Sequence, residues 1–132
     1  MAQTLLIVED DPEIMEILKI ILADAGFNTV SSQYGFDVEE LIAQNNPDLL
    51  LMDIRLGELD GRKICKSLKS GPHAKIPIIL MSAHALAKDV MNDACADAFI
   101  EKPFDIYWIT KLIANTLSLS IKKESGNNGL MS

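Results

Sequence analysis

The stretch LLLMDIRLGELDG, Leu49 to Gly61, decides the fold. Four apolar residues run without a break into one carboxylate, Asp53, and a loop then leads to Gly61, which opens a polar segment of helical character. Apolar character at every position, not alternate ones, predicts a strand buried on both faces, as at the centre of a parallel sheet. Open α/β sheets keep their chemistry at the carboxyl edge, where Asp53 would then lie. One acid at a strand end is commonplace, so the argument depends on what the other strand ends supply.

Upstream, Thr4 to Val8 reads as a short strand ending in Glu9, Asp10 and Asp11. Pro12 suits a first helical turn, and Ile14, Ile17, Leu18, Ile21 and Leu22 form an apolar stripe that Gly26 closes. Phe27 to Ser31 predicts a second strand. Asp37 with Glu40 has capping-box spacing ahead of Val38, Leu41 and Ile42, and Pro47 ends that helix. Downstream of Asp53, Asp60 is placed to cap a helix that turns Ile64, Cys65 and Leu68 inward and its Lys and Arg residues outward. Ile76 to Met81 predicts a fourth strand that delivers Ser82 to the same edge. A thinly apolar helix follows, with Leu86, Val90 and Ala94. Ala98 to Glu101 predicts a fifth strand, followed by Lys102 and Pro103, and Asp105 is placed to cap a last helix carrying Ile106, Ile109, Leu112, Ile113 and Leu117 inward. Strand and helix alternate strictly in five units, which implies a parallel sheet covered by helices on both faces. The domain is expected over residues 1–121, with 122–132 as a disordered tail because KKESGNNGLMS has no apolar periodicity.

At 132 residues there is room for one domain and no second. A net charge of -7 argues against a non-specific grip on nucleic acid or on an anionic membrane, since both need basic patches, so the partners are expected to be proteins. The two cysteines, Cys65 and Cys95, form no CxxC and no second pair, which argues against a disulfide framework or a zinc site and reads as reduced thiols of a cytoplasmic protein. The start, MAQTLLIVEDD, has no basic region ahead of an apolar core, and no segment nears membrane-span length.

Gathered at one edge, the strand ends offer Glu9 and Asp10 from the first strand, Asp53 from the third, Ser82 from the fourth and Lys102 from the fifth. Three adjacent carboxylates repel one another unless a cation sits among them, and hard oxygen donors that leave room for waters and phosphate oxygens suit Mg²⁺. Lys102 and the Ser82 hydroxyl would face the same pocket and serve an anion beside the metal. That is the equipment of phosphoryl transfer, with Asp53 as nucleophile forming an aspartyl-phosphate. Taken singly, Asp10 reads better as a helix cap, Ser82 as a strand-end loop residue and Lys102 as a solvated charge. Their order along the chain carries the case.

These motifs, LLIVEDD, LLLMD with Asp60-Gly61 seven residues on, PIILMSAHA and DAFIEKPF, resemble those of response-regulator receiver domains of two-component signalling, and the resemblance spans about Thr4 to Leu119. It implies a flavodoxin-like, doubly wound (β/α)5 fold with strand order 2-1-3-4-5. It implies that Asp53 accepts phosphate from a histidine kinase or a histidine phosphotransfer protein. It further implies that Asp10 and Asp53 bind Mg²⁺ together with the Arg55 backbone carbonyl while Glu9 acts through water. Ser82 would contact the phosphoryl group, Lys102 would pair with it, and Phe99 would be the aromatic that turns inward when Ser82 shifts. The implied protein is a cytoplasmic switch, monomeric or weakly dimeric, passing its signal by docking or in a phosphorelay through the face of the fourth helix, fifth strand and fifth helix. Its only chemistry would be self-phosphorylation and autodephosphorylation. Three residues depart from the pattern: Gly57 where Pro is usual, Phe99 where Tyr is frequent and Cys95 where Gly is common. Gly57 is expected to loosen its loop without touching a ligand. A Mg²⁺-dependent phosphatase of the aspartyl-phosphate class is the alternative, although its DxD pair after the first strand is missing. Finally, the Lys102-Pro103 bond is a candidate for the cis form, which would aim the ammonium back at Asp53.

Overall fold

The computed structural model describes residues 2–83 and 95–129. Along the chain come β1 (Thr4–Val8), α1 (Pro12–Asp24), β2 (Asn28–Ser32), α2 (Val38–Asn45), β3 (Leu49–Asp53), the two-residue strands β4 (Arg55–Leu56) and β5 (Leu59–Asp60), α3 (Gly61–Lys69), β6 (Ile78–Ala83), β7 (Ala98–Lys102) and a C-terminal helix (Ile106–Gly129). Five parallel strands form one sheet in the order β2-β1-β3-β6-β7, which is 2-1-3-4-5 once the small antiparallel β4-β5 ribbon is set aside. The flavodoxin-like order expected from the sequence is therefore present. The helix expected around Leu86 to Ala94 lies outside the described residues.

The central strands sort their side chains onto two faces. Leu6, Val8, Leu50, Met52, Ile78 and Leu80 pack with Val38 and Ile42 of α2 and Cys65 and Leu68 of α3. The residues between them, Leu5, Ile7, Leu49, Leu51, Ile79 and Met81, pack with Leu18 and Leu22 of α1 and with Ile109, Ile113 and Leu117 of the C-terminal helix. Every residue of β3 is buried, because the sheet has helices on both sides. Each fully buried Leu or Ile contributes about 1.5–3 kcal/mol of transfer free energy, so this double layer supplies most of the driving force.

Local signals act with some exceptions. Asp11, not Asp10, caps α1, its Oδ1 accepting from the amides of Glu13 at 2.9 Å and Ile14 at 3.3 Å. Asp60 caps α3 through the Arg62 amide, and Asp105 accepts from the amide of Tyr107. The capping box at Asp37 does not form: its carboxylate instead accepts from the Ser32 hydroxyl, across the turn that follows β2. Asn46 takes the left-handed conformation that stops α2 ahead of Pro47. The apolar stripes are narrower than their spacing suggests, for Ile17 and Ile106 are about half exposed. The C-terminal helix carries on to Gly129, into the segment read from the sequence as a tail, and among its residues whose burial is described Leu117 is the last in the core. Lys-, Glu- and Ser-containing backbone can continue a helix already nucleated by packing, with no apolar face of its own. Among the described residues no helix is long and apolar enough to cross a membrane.

Candidate functional site

The parallel register brings the expected residues to one edge. Glu9 directly follows β1 and stays in the ladder, its amide donating to the Ser32 carbonyl at 3.1 Å. Asp53 ends β3 opposite Met81, and the next amide, that of Ile54, donates to the Met81 carbonyl at 3.0 Å. Ser82 is one residue past Met81 and buried, and Lys102 ends β7 opposite Ala83. Behind Asp53, α3 starts so close that a Cβ on Gly61 would stand 2.4 Å from the Asp53 carbonyl oxygen. Glycine is what lets the helix start there, and its amide in turn donates to the Ile54 carbonyl at 2.7 Å.

Glu9, Asp10 and Asp53 present carboxylate oxygens that all lie within 4.8 Å of one another. Glu9 is fully buried and Asp53 nearly so. Lys102 reaches into the cluster, its Nζ donating to Glu9 Oε1 at 2.5 Å and to Asp53 Oδ2 at 2.7 Å. β7 lies two strands from β3, roughly 10 Å at ~4.8 Å per strand, so only a long side chain from that strand end can span β6 and reach Asp53. The Lys102-Pro103 bond is cis, as the sequence suggested. Backbone amides complete the shell: Asp11 donates to Glu9 Oε2 and Arg55 to Asp53 Oδ1, each at 3.2 Å.

The loop after Asp53 corrects one expectation. Gly57 does touch the acidic cluster, its amide donating to Asp10 Oδ2 at 3.2 Å. It does so at φ +60°, which glycine adopts freely. Proline has no amide hydrogen and a φ fixed near −65°, so at this position it can supply neither feature. Gly57 thus trades the rigidity of proline for a donor to the outermost carboxylate. Nothing in the sequence alone marked this contact, because it joins positions far apart in the chain.

The electrostatics follow from burial. Loss of water pushes the Glu9 carboxyl up from 4.5 to about 7; the Lys102 ammonium works against that shift and the Asp53 charge adds to it. Burial by itself would lower the Lys102 pKa, but the hydrogen bonds to Asp53 and Glu9 outweigh it and hold the ammonium above its ordinary value. Three clustered carboxylates with one lysine leave an excess of negative charge, and the donor set is all hard oxygen. The cluster could therefore hold a divalent metal ion.

Phe99 lies on β7 opposite Leu80 and packs, partly buried, against the cluster on the α2 and α3 face. Arg55 is exposed and begins the β4-β5 ribbon. Sequence reasoning also left Cys65 and Cys95 as unrelated small residues, whereas their Sγ atoms stand 2.8 Å apart.

Residues 5–114 match the family model of the response regulator receiver domain. The chain belongs to the response-regulator receiver family. The receiver domain is 35% identical over 123 residues to the regulatory protein AtoC of Escherichia coli K12, covering 91% of this chain and 26% of that protein. It is 31% identical over 110 residues to the polar-differentiation response regulator DivK of Brucella ovis, covering 80% of this chain and 89% of DivK. The signal receiver domain of a signal transduction histidine kinase from Syntrophus aciditrophicus superposes with a TM-score of 0.80 at 31% identity, covering 89% of this chain and 91% of that one. The receiver domain spans less than half the length of several of its relatives, AtoC among them. A receiver domain is the module of a two-component signalling switch, and no relative favours the phosphatase alternative.

Proposed function

We propose that Asp53 is the phosphoacceptor of this receiver domain and that the reaction depends on Mg²⁺ held by Asp10, Asp53 and the Arg55 backbone carbonyl, with Glu9 acting through water. The observation that carries this reading is the double contact of Lys102 with Glu9 and Asp53, beside an Asp10 carboxylate within 4.8 Å of both. When bound, Mg²⁺ would neutralise the negative charge that the carboxylates and the incoming phosphoryl group bring together.

The chain's own groups do the rest. The Arg55 amide and the Lys102 ammonium each hold one Asp53 oxygen, which fixes the carboxylate plane before a donor arrives. An Asp53 oxygen attacks phosphorus as the bond to the donor's imidazole nitrogen breaks, and that nitrogen leaves with the electron pair. Lys102 then pairs with the transferred group, and the Ser82 hydroxyl donates to one of its oxygens. Movement of Ser82 toward the phosphoryl group lets Phe99 turn inward, which couples the pocket to the face built on β7 and the C-terminal helix. The helix expected over Leu86–Ala94 would complete that face. A histidine kinase or histidine phosphotransfer protein supplies the phosphoryl group in the cytoplasm, and a downstream protein or relay partner reads the altered face. Residues 1–121 form the working domain, with 122–132 as a tail.

Incubation with acetyl phosphate and Mg²⁺ followed by intact mass tests the reading. The native chain gains one phosphoryl mass, and both chelation and Asp53→Asn abolish the gain. A gain that survives in Asp53→Asn overturns the assignment.

A further inference from the structure

We propose that Cys65 and Cys95 form a dithiol modification site that closes reversibly to an intramolecular disulfide. Thirty positions apart in the chain, the two Sγ atoms lie 2.8 Å from each other, and both are free thiols. That spacing is within sulfur hydrogen-bond reach and exceeds the about 2.05 Å of a covalent S–S bond, so closure needs a sub-ångström approach of the sulfurs. Cys65 sits on α3, fully buried in the core beside Leu68 and Ile64. Cys95 stands just ahead of β7 and is half-buried against the same cluster. The two segments are already fastened to each other, since Lys69 Nζ of α3 donates to Asp97 Oδ2 at 2.8 Å and the same carboxylate accepts from the Ile78 amide. The thiols thus face each other from anchored positions, and no large backbone search precedes bond formation.

The two sulfurs have different tasks. Burial pushes the Cys65 thiol up, which makes it a poor first reactant. Cys95, with the greater access, meets the oxidant. With hydrogen peroxide, the Cys95 sulfur attacks one peroxide oxygen, the O–O bond breaks, and a sulfenic acid forms as one water leaves. The Cys65 sulfur then attacks the Cys95 sulfur, the S–O bond breaks, and a second water carries away the remaining proton. Two thiols have lost two electrons and two protons, and the peroxide has been reduced to two waters. An external dithiol reverses the bond by exchange. The disulfide would tie α3 to the residues leading into β7, the strand of Phe99 and Lys102, without using a group of the acidic cluster. It does not depend on the phosphoryl reading.

The experiment uses the full chain and dilute hydrogen peroxide, with thiol counting in denaturant, intact mass and peptide mapping. Oxidation should take the count from two thiols to none, lower the mass by two hydrogens, and give one cross-linked peptide joining Cys65 to Cys95 in a monomer. Dithiothreitol should restore both thiols. Cys95→Ser, which keeps the size of the side chain outside the fully buried site, should fold and keep one unreacted thiol under the same treatment. Added oxygen on Cys95 with Cys65 still alkylatable overturns the proposal, as does an unchanged count or a cross-link between two chains.

Discussion

Replacing Lys102 with Met removes the one ammonium seen to bond both Glu9 and Asp53 while keeping much of the side chain's volume. Glu9 has its pKa raised from 4.5 to about 7 in the folded chain. A raised acid contributes its stability fully below pH 4.5 and loses it as pH climbs through about 7, a loss on the order of 3 kcal/mol. In the native chain that loss levels off above pH 7, because the Lys102 ammonium stops the carboxyl from rising further. Lys102→Met lifts the stop, so the variant goes on losing stability above pH 7. Losing the Asp53 contact adds an offset of about 1.5–3 kcal/mol, the usual worth of a hydrogen bond to a charged group. Lys102 has its own pKa raised, so its charge does not change in this window. Urea unfolding of both chains in chelator at pH 6, 7 and 8 measures the difference. The gap should stand near its offset at pH 6 and widen by about 1 kcal/mol by pH 8, approaching 1.4 kcal/mol per pH unit if Glu9 is fully released. A gap that stays constant or narrows as pH rises refutes the claim that Lys102 acts by restraining the Glu9 pKa.

Gly61→Ala forces its Cβ toward the Asp53 carbonyl oxygen, a backbone atom with no rotamer to yield, and should cost about 1–3 kcal/mol in chemical denaturation and weaken Mg²⁺ binding; normal values for both would show that α3 can shift freely. Mg²⁺ binding should release protons below about pH 7, where Glu9 is partly protonated, so the calorimetric heat should vary with the buffer's ionisation enthalpy and affinity should rise toward pH 7; a heat independent of buffer contradicts this. Removing residues 122–132 should lower the unfolding free energy by no more than about 0.5 kcal/mol, since KKESGNNGLMS has no apolar periodicity, and a larger loss would make the tail part of the domain.

Much of this was legible because burial leaves a mark at every position of a central strand. Leu49 to Met52 announced β3, and with it the place of Asp53, before any contact was known. Lys102 was legible by its position after a fifth apolar run. What escaped were features set by distant partners. Asp37 had the spacing of a capping box, yet Ser32 offered its carboxylate a hydroxyl, and that tertiary contact won. Ile17 and Ile106 fit the helical stripe but stay about half exposed, outside the packed core. Gly57 to Asp10 and Cys65 to Cys95 are long-range approaches, and single-chain periodicity carries no signal for either.

The alternation of β1, β3 and β6 between two cores also makes strand length a ruler. Each residue of Leu49 to Met52 belongs to the face opposite its neighbour's, so deleting one would turn the residues beyond it over. Both cores would then hold side chains shaped for the other, and Asp53 would leave the strand toward the opposite face from Glu9 and Lys102. A swap of Leu for Ile or Met leaves the ruler intact, at a cost usually below about 1.5 kcal/mol. Substitution and deletion are thus different kinds of event in these strands: one alters the fit of a single side chain, while the other changes the parity on which both cores and the acidic cluster depend. Length in the central strands should be far less free to drift than letter, and the loops at the opposite edge, such as Ser70 to Ile76, are where insertions can be absorbed.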